Sequence, residues 1–250
     1  HGIYLATKEK RKRIFVPLTD NNQYDSQIYI KLFPEEKRLE IRVPVKVAVR
    51  VHDDYTRQTG VSIGLLTMLT THEGHRYGER LGEYQLEYSD WIREQTRSYN
   101  HNRQNNPGRK KYQARKKRYE EKLHSYINQE LNRFLKTEKP EIIWIPKLPR
   151  PQAGGASSRL NHMAALWQRG YIRKRLLQKC QEQSITIVEV FGRNVSRECS
   201  YCGTMGKKEK GQFICPSCGY QTDDRINAAQ NARKRGILLA NRDYNTELEK

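Results

Sequence analysis

The chain has 250 residues, 36% of them hydrophobic and 30% charged, with 47 Lys and Arg against 28 Asp and Glu and a formal net charge of +19. That excess, with an isoelectric point near 9.8 and a mean hydropathy of -0.95, is not needed by a core and points to a polyanion such as nucleic acid. No apolar run is long enough to span a bilayer as a helix, and Lys8, Lys10, Arg11, Lys12 and Arg13 stand where a signal peptide would need an apolar stretch.

The sequence opens on His1 rather than Met, which leaves open that it is a piece of a longer protein. Residues 1–55 read as strands. Residues 28–33 precede the turn-like Pro34-Glu35-Glu36-Lys37, and Leu39-Glu40-Ile41-Arg42-Val43 then alternates apolar and charged side chains with the period of a half-buried strand. Residues 46–51 continue that pattern. The apolar run 61–69, broken by Gly64 and followed by a turn over 70–74, predicts a hairpin of core strands.

Residues 85–136 contain no Pro or Gly except Pro107-Gly108, which predicts two long polar helices divided at that dipeptide. In the second, over 110–136, Leu123, Ile127, Leu131, Phe134 and Leu135 recur at helical spacing and define a core face. Its start carries Arg109, Lys110, Lys111, Arg115, Lys116, Lys117 and Arg118, with no acid among them, so a phosphate-tracking face is expected there, the alternative being a merely solvated charge face. Tyr112 and Tyr119 lie on the same stretch as candidates for stacking on bases or for packing. Residues 141–145 predict a buried strand and 149–158 a loop. A helix is expected over 160–181, with Trp167, Ile172, Leu176 and Leu177 inward, then a strand over 185–190 and a last helix over 225–240.

Five cysteines are present. Cys199-x-x-Cys202 and Cys215-x-x-Cys218 are two knuckles twelve residues apart, and Gly203 and Gly219 follow the second cysteine of each, where a tight turn favours a positive φ. Four thiolates complete a tetrahedral shell with no open position, so a structural Zn²⁺ is expected. Lys207, Lys208 and Lys210 lie between the knuckles as candidate phosphate contacts, and Cys180 reads as an ordinary buried residue.

The stretches Ser196-Arg197-Glu198-Cys199-Ser200-Tyr201-Cys202-Gly203 and Asp223-Asp224-Arg225-Ile226-Asn227-Ala228-Ala229-Gln230-Asn231 resemble the zinc-ribbon and final-helix motifs of the TnpB (OrfB) proteins of IS200/IS605 and IS607 transposons and of their type V CRISPR effector relatives. Val61-Ser62-Ile63-Gly64-Leu65 falls at the family's first RuvC strand, and Ile142-Ile143-Trp144-Ile145-Pro146-Lys147-Leu148 at its strand carrying the catalytic Glu. The resemblance spans about residues 25–236. It implies an α/β fold: an RNase H-like (RuvC-like) domain with an inserted zinc ribbon, preceded by part of an oligonucleotide-binding β-barrel. The implied divisions are 1–55 for the end of the barrel, 56–192 for the first part of the RuvC-like domain with its basic helical insertion, 193–222 for the ribbon, and 223–250 for the last helix and tail.

It also implies guide or other RNA and target DNA as partners, with transposition or transcription machinery beyond them, no membrane, and a prokaryotic cytoplasmic, nucleoid-associated setting. RuvC cleavage uses carboxylates to hold two Mg²⁺ ions. Carried over position by position, those carboxylates fall on Ser62, Pro146 and Arg225. Asp223, Asp224, Glu73 and Glu141 are the nearby acids that bear on a rescue. The expectation is therefore a binder with no Mg²⁺ site and no catalytic residues. The alternatives are an active TnpB-type endonuclease and an unguided zinc-ribbon module.

Overall fold

The computed structural model describes residues 1–18, 27–44, 48–98, 108–148 and 157–248. The chain divides into two compact units, His1–Ala48 and Val49–Lys250. The first holds two antiparallel hairpins: β1 (Gly2–Ala6) with β2 (Arg13–Pro17), and β3 (Tyr29–Phe33) with β4 (Arg38–Arg42). A 3₁₀ turn over Pro34–Glu36 joins the second pair and ends on Lys37 in the left-handed region. Each hairpin is a separate two-stranded sheet. Of the strand expected over 46–51, residues 46 and 47 lie outside the described residues, and 48–51 form no strand. Val49 and Val51 are exposed: apolar alternation makes a strand only where a neighbour accepts the backbone hydrogen bonds. The loop expected over 149–158 lies, up to residue 156, outside the described residues.

The second unit is built on five strands: β5 (Arg57–Ile63), β6 (Leu69–Thr71), β7 (Arg76–Tyr77), β8 (Pro140–Lys147) and β9 (Thr186–Phe191). Their order is β7-β6-β5-β8-β9. β5, β6 and β7 pair antiparallel, whereas β8 runs parallel to both β5 and β9. Thr70 and Thr71 belong to β6, so the turn expected over 70–74 starts two residues later. Between β7 and β8 lie α1 (Leu81–Ser98) and α2 (Arg109–Glu138). Between β8 and β9 lie α3 (Ser158–Ala165) and α4 (Arg169–Glu182), and α5 (Asp224–Leu248) closes the unit.

Side chains alternate across the sheet. Val61, Ile63, Ile143 and Ile145 join one core with Leu123, Ile127, Leu131 and Phe134 of α2 and Ile172 and Leu176 of α4. Trp144 and Val190 meet Ala232 of α5 in another cluster. Two glycines let α5 lie close: a Cβ at Gly236 would land in the Trp144 ring, and one at Gly60 would strike the Ala229 carbonyl. The predicted core face of α2 is fully realised. That helix stops where Lys139 turns left-handed at φ 46° and donates its N–H to the Leu135 carbonyl, and Pro140 follows, which cannot extend a helix. Leu131 is fully buried. Leu131→Ala is expected to cost about 2–5 kcal/mol, read from urea unfolding of both proteins.

The single helix expected over 160–181 is two. The break falls at 166–168, where the N–H of Gln168 donates to Oε1 of Gln85 on α1 at 3.1 Å. Gln85 is itself buried and donates Nε2 to the Leu65 carbonyl at 2.6 Å. This tertiary contact between distant residues leaves no trace in local periodicity. Ile172 and Leu176, four residues apart, point inward, but Leu177 is 44% exposed, because one further helical residue turns about 100° away from Leu176. Among the described residues no helix is long and apolar enough to cross a membrane.

Candidate metal centre and nucleic-acid interface

The two knuckles fold alike. Gly203 donates to the Cys199 carbonyl at 2.9 Å and Gly219 to the Cys215 carbonyl at 3.1 Å. Both glycines take the positive φ that the spacing predicted, 81° and 73°. Cys199 and Cys218 come to 3.7 Å between sulfurs, and Cys202 and Cys215 to 3.5 Å. A tetrahedral ion with bonds of about 2.3 Å needs sulfurs about 3.8 Å apart, so all four thiols fit one ion. The Thr204 hydroxyl and backbone draw the Cys202 thiol down by hydrogen bonding, whereas Cys218 is pushed up, against the pull of the Tyr220 N–H, by burial and its three cysteine neighbours. Cys180 lies buried in α4, where burial lifts its thiol to about 12.

The knuckles sit on a small sheet of β10 (Lys207–Glu209), β11 (Gln212–Ile214) and β12 (Gln221–Asp223), with Phe213 buried against Cys199 and Cys215. The three lysines between the knuckles therefore lie on a hairpin rather than an irregular loop. Lys207 and Lys208 are in β10, and Lys210 occupies its turn with Gly211. Lys207 and Lys210 are exposed.

The first turns of α5 clamp this module. Asn227 accepts from the N–H of Ser200 at 3.0 Å and donates to the Glu198 carbonyl at 2.8 Å. Asn231 donates to the carbonyls of Val195 and Glu198. Oε1 of Gln230 accepts from Ser200 and Tyr220. These polar positions were visible in the sequence as part of a motif, but nothing local assigned them this role.

Ser62, Pro146 and Arg225 line one cavity of about 170 Å³, together with Ser196, Lys208 and Asp224. Alternation in β5 and β8 presents Ser62 and Pro146 toward the start of α5. The Ser62 hydroxyl is buried without a hydrogen-bond partner among the described residues. Nη1 of Arg225 donates to Thr67 at 3.2 Å. Asp224 pairs with Lys208 at 2.7 Å, and Lys208 also donates to the Ser196 hydroxyl at 3.4 Å. Asp223 does not line the cavity: it caps α5 by accepting the Arg225 N–H at 2.8 Å and pairs with Arg76 at 2.9 Å. Glu141 is exposed on β8, and Glu73 lies in the turn between β6 and β7. Among the described residues no group of three metal-ligating side chains forms at this cavity.

The basic start of α2 lies against α1. Lys111, Arg115, Arg118, Lys122 and Tyr119 line a groove of about 560 Å³ with Glu87. Lys122 is paired with Glu87 at 3.0 Å, and Lys116 and Lys117 approach Glu120 and Glu121. Among the described residues Arg109, Lys110, Lys111, Arg115 and Arg118 have no acidic partner. Tyr112 and Tyr119 are packing residues: both stack on Trp91 of α1, with ring centres 5.2 Å and 5.1 Å away.

Residues 170–232, about a quarter of the chain, match the Cas12f1-like TNB domain family. No curated protein sequence matches the chain. The fold is similar to that in a cryo-EM structure of a Cas12f1–sgRNA–target DNA complex, with a TM-score of 0.51, 15% identity, and coverage of 93% of this chain and 65% of that one. It is also similar to a CRISPR-Cas12f ternary complex, with a TM-score of 0.52, 19% identity, and coverage of 82% and 44%. The chain thus spans less than two thirds of the length of either. It has a mixed α/β fold like that of Cas12f, with a five-stranded mixed sheet and a four-cysteine cluster.

Proposed function

We propose that this chain is an RNA-guided or RNA-associated DNA-binding protein of the TnpB and type V lineage, with a structural zinc and an inactivated RuvC-like nuclease site. The observation that carries this reading is the convergence of Ser62, Pro146 and Arg225 on one cavity. They lie far apart in sequence, and each stands where the resemblance requires a carboxylate. The sheet order β7-β6-β5-β8-β9, antiparallel on one side of β5 and parallel on the other, supports an RNase H-like core. The two hairpins of the first unit are consistent with part of an oligonucleotide-binding barrel.

Two-metal cleavage needs negative charge to gather two dications at the scissile phosphate. A serine hydroxyl is neutral, proline offers no side-chain ligand, and arginine adds a fixed positive charge. Among the described residues Asp224 is the one carboxylate lining the cavity, and Lys208 already neutralises it. With Arg225 and Lys208 present, the cavity suits a backbone phosphate better than Mg²⁺. The remaining machinery is binding machinery: the cations of α2 that meet no acid among the described residues, Lys207 and Lys210 on the ribbon hairpin, and a Zn²⁺ held by Cys199, Cys202, Cys215 and Cys218. Target binding, repression or recruitment of transposition machinery are the roles that fit.

Binding is tested by replacing Lys110, Lys111, Arg115 and Arg118 together with Gln. The slope of log K against log salt on duplex DNA is expected to flatten by about 0.9 for each phosphate that these side chains neutralise. An unchanged slope would return this helix face to simple solvation. Sequencing of RNA that co-purifies with the chain separates a guided protein, which retains a discrete species, from an unguided zinc-ribbon module.

A further inference from the structure

We infer that Glu73, His75 and Glu138 form a second metal site, for a first-row divalent transition ion, unrelated to the ribbon and to the Ser62 cavity. Glu73 and His75 lie in the turn between β6 and β7, and Glu138 is the last residue of α2. Their ligand atoms all fall within 4.8 Å of one another.

The turn is held by its own backbone. Thr71 donates to the His75 carbonyl at 2.9 Å, and Gly74 to the Thr71 carbonyl at 3.1 Å. The His75 N–H donates to Oγ1 of Thr71 at 3.1 Å. Gly74 supplies the positive φ of 95° that the turn requires. Below it, the left-handed cap at Lys139 ends α2 and leaves Glu138 under the turn.

Glu138 is only 1% exposed. Its Oε1 accepts from the Tyr77 hydroxyl at 2.5 Å and lies 2.8 Å from Nδ1 of His75. Its Oε2 is buried with no hydrogen-bond partner among the described residues. The nearest cation is the guanidinium of Arg57 at 3.9 Å, which also lies 3.4 Å from Glu73. A buried carboxylate oxygen without a partner is costly, and a cation at this point would satisfy it.

The separations approach those of coordination. Ligand atoms bonded at about 2.1 Å stand about 3.0–3.4 Å apart, against 2.8 Å from His75 Nδ1 to Glu138 and 3.9 Å from it to Glu73, so the exposed Glu73 side chain has to move inward to complete the site. The ion would bridge Nδ1 of His75 and the Glu138 carboxylate, which now lie in direct contact at 2.8 Å. Tyr77 orients the carboxylate by hydrogen bonding to it. Imidazole with two carboxylates suits Zn²⁺, Mn²⁺ or Co²⁺ rather than Mg²⁺. His75 and Glu73 are 53% and 45% exposed at their side chains, which leaves a path for entry and positions for water. Arg57 competes with the ion and limits its affinity.

The test is metal content and affinity of the full chain after equilibration with Zn²⁺, with Co²⁺ as the spectroscopic probe. Two ions per chain are expected. His75→Ala and Glu73→Gln, both at exposed positions, are expected to weaken the second ion at least tenfold while the thiolate-to-cobalt charge-transfer bands of the ribbon stay unchanged. Arg57→Gln is expected to tighten it several-fold, the sign opposite to that of a plain ion-pair cluster. One ion per chain in the unaltered protein, or a second ion that binds His75→Ala as tightly, would overturn the inference. Because the charge-transfer bands report only the four cysteines, failure of the ribbon site and failure of this one are read on separate signals.

Discussion

Replacing Cys215 by Ser is expected to release the ribbon's metal and to unfold residues 193–222 while the five-stranded unit stays folded. The ribbon has little else to order it: its apolar cluster is Phe213 with Cys199 and Cys215 and the partly buried Tyr220. Metal binding in such modules contributes about 10–16 kcal/mol to folding, far beyond what that cluster supplies at roughly 25 cal/mol per Å². The change reads directly in hydrogen exchange. The N–H groups of Gly203 and Gly219, which close the two knuckles, should lose protection by orders of magnitude, whereas those of α2 should keep theirs. A chelator should do the same to the unaltered chain. The loss should also reach the cavity, because β10 carries Lys208 to Asp224 and Ser196. Knuckle amides that stay protected without metal would contradict the assignment.

The second large effect concerns the cavity. Ser62→Asp, Pro146→Glu and Arg225→Asp made together take those three positions from one positive charge to three negative ones. The triple variant is expected to bind Mg²⁺ at millimolar or lower concentration, where the unaltered chain shows no saturable binding. Arg225→Asp alone should contribute most, since it removes a fixed cation and adds a ligand at the start of α5, where Asp223 already caps the helix. Isothermal titration with Mg²⁺ reads the gain. Saturable Mg²⁺ binding by the unaltered chain, abolished by Asp224→Asn, would mean that Asp224 serves a working metal site.

The ribbon and the inner face of α2 were legible in the sequence for different reasons. Four sulfurs must meet at bonding distance of one ion, so ligand chemistry dictates the CxxC spacing, and the glycines follow from backbone sterics. Leu123, Ile127, Leu131 and Phe134 share a face because helical geometry alone puts them there. The convergence of Ser62, Pro146 and Arg225 became readable through the resemblance of three separate stretches, since no local pattern links a strand serine to a helix arginine. What stayed hidden depends on contacts between distant residues. The helix break at Gln168 rests on Gln85, and the clamp of Asn227, Gln230 and Asn231 rests on backbone groups of the ribbon. Glu138 reads as one more polar residue at a helix end until the fold buries it under His75 and Tyr77. The tyrosines of α2 were ambiguous because stacking on a base and packing on Trp91 call for the same ring.

The most direct test of the central claim is a Mg²⁺-dependent cleavage assay run beside a binding assay, on the full-length gene product with its co-purified RNA and matched DNA. Retained DNA binding with no cutting above background, at Mg²⁺ concentrations that support an active RuvC nuclease, is the predicted result. Mg²⁺-dependent cutting lost on Asp224→Asn would contradict it and make the chain a working nuclease.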